Sequence, residues 1–153
     1  MDFMKYALIE AEKAMEAEEI PVGAIVVKDG IIIGRGYNQK EKKSNPTEHA
    51  EIIAIREACS NIGDWRLNGC EMYVTLEPCP MCAGAILQSR ISRLYIGTFN
   101  KDMGACGSVV NLVDNRRLNS FVNVIWAYDE RCSDILKKFF DLKRNGILQK
   151  RRL

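Results

Sequence analysis

The chain holds one histidine, His49, and one pair of cysteines close together in sequence, Cys79 and Cys82 in a C-x-x-C. Imidazole nitrogen and thiolate sulfur are customary zinc donors, and a catalytic zinc takes three protein ligands and leaves a fourth position for water. Any Cys/His metal site in this chain must use His49. Two cysteines and one histidine fall one ligand short of a closed structural site, and the open position is where water would be activated. Glu51, two residues after His49, is a carboxylate able to take a proton from such a water and deliver it to a substrate. Spacing alone does not bring it to the metal, because residues i and i+2 of an ideal helix point about 200° apart. Taken by itself, the C-x-x-C also fits a thioredoxin-like redox pair or half of a structural zinc site. The redox reading leaves His49 and Glu51 unexplained. The structural one lacks a fourth ligand unless Cys59, Cys70, Cys106 or Cys132 folds in.

Both anchors fall at expected helix starts, where free N–H groups and the helix dipole favour thiolate and balance anionic charge. Asn45-Pro46-Thr47-Glu48 reads as N-cap, first, second and third helical positions, and Ile52, Ile53, Ile55 and Ala58 carry that helix to about Ser60. Pro80 suits the first position of a second helix reaching about Ser89, whose Ala83-Gly84-Ala85-Ile86-Leu87 has no polar face and is expected to be buried. Ahead of these, Met4, Ala7, Leu8, Ala11 and Met15 mark one face of an opening helix that Pro21 closes. Residues 22–27 and 31–33 are β-branched runs around a Lys28-Asp29-Gly30 turn, and 38–47 is a polar loop. Strands are expected at 71–76, 94–97 and 122–126. Ile135, Leu136, Phe139, Phe140 and Leu142 recur at helical spacing near the end. The order α-β-β-α-β-α-β-(loop)-β-α predicts an α/β fold: a three-layer α-β-α sandwich around a five-stranded mixed sheet with helices on both faces.

A chain of 153 residues, 47% hydrophobic and 27% charged, suits one globular domain spanning 1–153. No apolar run approaches the roughly 20 residues that cross a bilayer, and the first residues lack the pattern of a signal peptide, so a cytoplasmic protein with no membrane partner is expected. Cys59, Cys70, Cys106 and Cys132 then read as small buried or half-buried hydrophobes. Net charge is only +2, but it is uneven: residues 1–20 carry −4 and residues 131–153 carry +6. The basic last helix and tail, from about 129, is either a phosphate-contacting surface or a solvated helix face.

His49-Ala50-Glu51 followed by Pro78-Cys79-Pro80-Met81-Cys82 resembles the H-x-E and P-C-x-x-C signature of the zinc deaminases that act on bases. The likeness extends along nearly the whole chain to the bacterial tRNA-specific adenosine deaminases, of the cytidine/deoxycytidylate deaminase-like family. Its further matching stretches are Ile20–Ala24, Pro46–Glu51, Trp65–Leu67, Tyr73–Gly84, Ser89–Ile91, Gly104–Ser108 and Phe139-Phe140. The resemblance implies a cytidine-deaminase-like fold and one Zn2+ per subunit on His49, Cys79 and Cys82. It implies hydrolytic conversion of the wobble adenosine of a tRNA anticodon stem-loop to inosine, with zinc-activated hydroxide attacking C6, Glu51 shuttling the proton and ammonia leaving, in a homodimer. Asn38 matches the position that hydrogen-bonds the flipped base and Ile20 an apolar wall. Ala50, Leu76 and Asn100 complete the expected substrate site, with Lys101, Lys143, Arg144, Lys150, Arg151 and Arg152 as expected nucleic-acid contacts. There are two departures: many members carry Asp at the position of Asn100, and Asn-His where this chain has Asn119-Ser120. Losing that charge is expected to loosen discrimination between RNA and DNA. A free-base or nucleotide deaminase acting on guanine, cytosine or CMP shares the metal motif, and a zinc-stabilised RNA-binding module would not need Glu51.

Overall fold

The computed structural model describes residues 1–146, so the expected contacts of Lys150, Arg151 and Arg152 lie outside the described residues. Helix α1 (Met4–Glu16) is followed by a hairpin of β1 (Gly23–Lys28) and β2 (Ile31–Tyr37), then α2 (Ala50–Ile62), β3 (Glu71–Leu76), α3 (Pro80–Gln88) and β4 (Arg93–Thr98). Two short strands, β5 (Asp114–Asn115) and β6 (Ser120–Phe121), precede β7 (Asn123–Trp126) and α4 (Glu130–Arg144). The main sheet has five strands in the order β2-β1-β3-β4-β7. Strand β1 pairs antiparallel with β2 and with β3, while β3, β4 and β7 run parallel. This is the predicted mixed sheet with helices on both faces.

The two faces follow from strand alternation. Ile25 and Val27 of β1 turn toward α1 and α4, where they meet Met4, Ala7, Leu8 and Cys132. Ala24 and Val26 turn the other way, joining Met72, Val74, Leu94 and Ile96 under Ala54 and Ala58 of α2 and Ala83 and Ile86 of α3. The hairpin turn is made by Asp29 (φ 50°) and Gly30 (φ 76°), the left-handed pair that a two-residue connection demands.

Three expectations need correction. Strand β2 does not stop at Ile33 but runs to Tyr37. Its continuation lacks an apolar alternation because α2 rests directly on the strand backbone. A Cβ at Gly34 would lie 2.2 Å from the Ala54 carbonyl oxygen, and one at Gly36 2.2 Å from that of Ala50. Helix α2 does not start at Asn45-Pro46 either. Asn45 Oδ1 accepts from the Thr47 backbone N–H at 2.9 Å and from Thr47 Oγ1 at 2.7 Å, closing a turn, and the helix begins four residues after Pro46 with His49 at its N-cap. Asn-Pro-Thr serves either purpose, since the side chain that caps a helix also closes an Asx turn. Finally, the loop before β7 contains the small β5–β6 ribbon, around a 3-10 turn whose Arg117 N–H donates to Asn115 Oδ1 at 3.0 Å.

Candidate active site

The parallel strands deliver the chemistry at their carboxyl ends, the usual ligand side of such sheets. Beyond β3, Cys79 takes the N-cap position of α3 in extended conformation, with Pro80 in the first turn and Cys82 buried within it. His49 takes the N-cap of α2, also extended (φ −83°, ψ 154°), and the first helical turn carries Glu51. Because His49 stands outside the helix, the 200° rule for i and i+2 does not apply to this pair. The buried Glu51 carboxyl interacts with Cys82, Cys79 and His49.

His49 Nδ1 lies 3.6 Å from Cys79 Sγ and 3.5 Å from Cys82 Sγ, and the three donor atoms all fall within 4.8 Å of one another. Tetrahedral zinc, with bonds of about 2.0–2.1 Å to imidazole and 2.3 Å to thiolate, requires a nitrogen–sulfur separation of about 3.6 Å. The donor set therefore fits a zinc ion in spacing as well as in chemistry. The hydrogen bond from Cys82, with that from His49, holds the Cys79 thiol down at about 4. Its neighbour Cys82 is pushed up by Cys79 and by burial. Burial pushes Glu51 up to about 7, into the range where a carboxyl both accepts and donates protons near neutrality.

His49, Glu51 and Cys79 floor a cavity of about 390 Å³, of ordinary size for a small-ligand site. Ile20, Val22, Ala50, Leu76 and Met103 make its apolar walls, and Asn38 and Asn100 face it with amides. Asn38 Nδ2 donates to the Ile20 carbonyl at 3.3 Å and its Oδ1 accepts from the Lys40 N–H at 3.1 Å. Asn100 Oδ1 accepts from the Met103 N–H at 3.0 Å and the Asp102 N–H at 3.3 Å. Each wall asparagine is thus a turn-former as well as a cavity residue. Lys101 is exposed directly after Asn100. Lys143 and Arg144 end α4 on the sheet face opposite α2 and α3, Arg144 paired with Asp141, and neither lines the cavity.

Two carboxylates that the sequence reading did not single out hold the walls in place. Glu77, 1% exposed, accepts from the backbone N–H groups of Asn100 (3.1 Å), Cys106 (3.0 Å) and Ser108 (3.1 Å) and from Ser108 Oγ. It fastens the segment that carries Asn100 and Met103 to the end of β3. Glu19, also 1% exposed, accepts from the Glu41 and Lys42 N–H groups at 2.9 Å each, pinning the loop that follows Asn38. Nothing in local sequence separates these two acids from their exposed neighbours. The only usable sign was position, Glu19 standing immediately before the wall residue Ile20 and Glu77 immediately after the wall residue Leu76.

The description "cytidine and deoxycytidylate deaminase zinc-binding region" belongs to a family profile that matches residues 1–98. The tRNA-specific adenosine deaminase of Aquifex aeolicus is 45% identical over 148 residues, covering 95% of this chain and 97% of that protein. Its counterpart from Bacillus subtilis is 43% identical over 139 residues, covering 90% and 86%. A structure from studies of A-to-I editing by tRNA:A34 deaminases superposes with a TM-score of 0.83 at 41% identity, covering 87% of this chain and 97% of the other. Metal donors, cavity and end-to-end likeness agree, and the chain belongs to the cytidine and deoxycytidylate deaminase zinc-binding family.

Proposed function

We propose that this protein hydrolyses adenosine to inosine at the wobble position of a tRNA anticodon stem-loop, with His49, Cys79 and Cys82 holding one zinc ion and Glu51 moving the proton. The observation that carries the chemistry is the tetrahedral spacing of the three donors beside a buried carboxyl on a cavity floor. The choice of substrate is supported by relatives named for tRNA adenosine that match nearly the full length. Zinc in this donor set supplies the Lewis acidity that makes water a nucleophile at neutral pH. Glu51 takes one proton from the water as its oxygen bonds to C6 and passes it to the ring nitrogen, then takes the second proton from the C6 oxygen and hands it to the departing amine, so that ammonia leaves as the carbonyl of inosine forms. Asn38 spends one N–H and one lone pair on its turn, which leaves one of each for the base. Ile20, Leu76 and Ala50 hold the ring in an apolar slot, and Asn100 borders its sugar side.

The whole chain, 1–153, acts in this reading as one deaminase domain, with Lys101 and the basic stretch from about residue 129, including Lys143 and Arg144, offering phosphate contacts. Exposed Met81, Val109, Val110, Leu118 and Phe121 support a homodimer. Six free cysteines, four of them buried, suit the reducing cytoplasm. The test is to incubate tRNA transcripts with the protein and sequence for inosine at the wobble base, with ammonia release from guanine, cytosine and CMP measured in parallel. Inosine at that single position supports the reading. Ammonia from free bases with no inosine in RNA would replace it by the free-base reading.

A further inference from the structure

We propose that Phe99, Trp126 and Tyr128 form a stacking platform for the unpaired nucleobase next to the one held in the cavity. The proposal rests on the RNA reading above. Phe99 separates the last residue of β4 from the cavity residue Asn100, and Trp126 ends β7. Strands β3, β4 and β7 are parallel, so their carboxyl ends share one edge of the sheet. The aromatic cluster therefore stands at the same edge as Cys79. Its ring centroids are 4.8 Å apart for Phe99 and Trp126, 5.6 Å for Phe99 and Tyr128, and 6.3 Å for Trp126 and Tyr128.

Phe99 and Tyr128 are exposed, Trp126 is half-buried against the core, and the cluster is held in place. Phe99 is 52% and Tyr128 65% accessible, although an aromatic ring gains more from burial than almost any other side chain. Single exposed hydrophobes are ordinary, but contiguous exposed aromatics mark a contact surface. Tyr128 has φ 49°, a conformation that bulky residues adopt only where the surroundings impose it. The imposition is visible on both sides: the Ala127 N–H donates to the Ile96 carbonyl at 2.8 Å and the Asp129 N–H to the Gly97 carbonyl at 2.9 Å. The backbone is fastened before and after Tyr128, and the ring is left standing against Phe99. Exposed aromatic faces accept any base by stacking, with no need of hydrogen bonds. Lys101, exposed two residues from Phe99, supplies a positive charge for the connecting phosphate. A free base or nucleoside has no second base to place here, so the platform fits a polynucleotide only.

The test compares wild type, Phe99→Ala, Tyr128→Ala and Phe99→Trp on an anticodon hairpin RNA, and on hairpins carrying an abasic site at either neighbour of the target adenosine. The alanine variants should raise KM for the intact hairpin roughly five- to a hundredfold, the range expected for one lost base–aromatic stack, while kcat and zinc content hold and Phe99→Trp stays near wild type. In wild type, one of the two abasic hairpins should show the same rise, and the alanine variants should show no further rise on it. Unchanged KM in both alanine variants, or an abasic penalty that persists undiminished in them, overturns the platform. Loss of self-association in sedimentation of the alanine variants, with the abasic penalty intact, assigns the rings to contact with a second copy and equally overturns it. A wild-type protein that leaves every RNA hairpin unmodified while releasing ammonia from a free base fails at the parent reading, and the platform falls with it.

Discussion

Glu77→Gln changes one atom, and the structure says which hydrogen bond fails. The carboxylate serves four donors, with Oε2 facing the Cys106 and Ser108 N–H groups and Oε1 facing the Asn100 N–H and Ser108 Oγ. An amide offers only one acceptor atom. If its oxygen keeps Cys106 and Ser108, its NH2 group faces Asn100; the Ser108 hydroxyl can rotate to accept, but the Asn100 N–H cannot. The opposite flip strands two N–H groups and is worse. One unsatisfied buried N–H costs about 1–3 kcal/mol, and turning the remaining charge-assisted bonds into neutral ones costs about 1 kcal/mol more. Relief of a buried charge offsets part of this, leaving a net loss of about 2–3 kcal/mol. With a urea m-value of about 2 kcal/mol/M, the unfolding midpoint should fall by about 1 M, measured at fixed zinc and protein concentration. The damage is local to one wall, so amide exchange at Asn100 should quicken and KM for RNA should rise while bound zinc stays at one per chain. A midpoint within about 0.2 M of wild type, with Asn100 still protected, would refute the reasoning.

Glu51→Gln should keep zinc at one per chain by elemental analysis and lose about 10²–10⁴ in turnover of adenosine-containing RNA, the usual contribution of a positioned acid–base group. Gly36→Ala places a methyl 2.2 Å from the Ala50 carbonyl oxygen. It should cost about 1–3 kcal/mol by overpacking, read as a lowered Tm, and activity should fall with it because Ala50 separates His49 from Glu51. Arg131 hydrogen-bonds Asp2 and Asp129 and holds both carboxyls below their ordinary range. The stability they add is present above the unfolded value near 3.9 and is lost as pH falls through their lower folded values. Arg131→Leu should therefore destabilise the fold slightly at pH 7, by no more than about 1 kcal/mol for so exposed a cluster, read as a small fall in Tm that vanishes in strong acid. A deficit that persists in strong acid would mean that packing, not charge, is what Arg131 contributes.

The metal site was legible because its residues are scarce: with one histidine and one C-x-x-C, few ligand sets exist to weigh. The layered sheet was legible because β1, β3 and β4 are short β-branched or apolar runs bounded by turn formers; the wholly apolar stretch of α3 foretold burial that Ala83, Ile86 and Leu87 show fully and Gly84 and Ala85 only in part. Other features follow physics that leaves no local mark. The start of α2 was misplaced because Asn45 has equal standing as a helix cap and as a turn closer. Gly34 and Gly36 hid the second half of β2, since close approach of a helix removes the very side chains that announce a strand. Glu19 and Glu77 become distinctive only when the backbone N–H groups they serve fold around them. Tyr128 is one of five tyrosines until its left-handed backbone and its neighbours Phe99 and Trp126 are seen.

The solitary histidine has a practical consequence. Every imidazole signal that this protein can emit, in magnetic resonance or after isotopic labelling, comes from the ring whose Nδ1 faces two thiols. One label in histidine alone would therefore report, without assignment and in the intact enzyme, the state of that single ring. Loading with metal, loss to a chelator and arrival of a base in the cavity would each shift the same two carbon-bound protons, making the chain its own indicator.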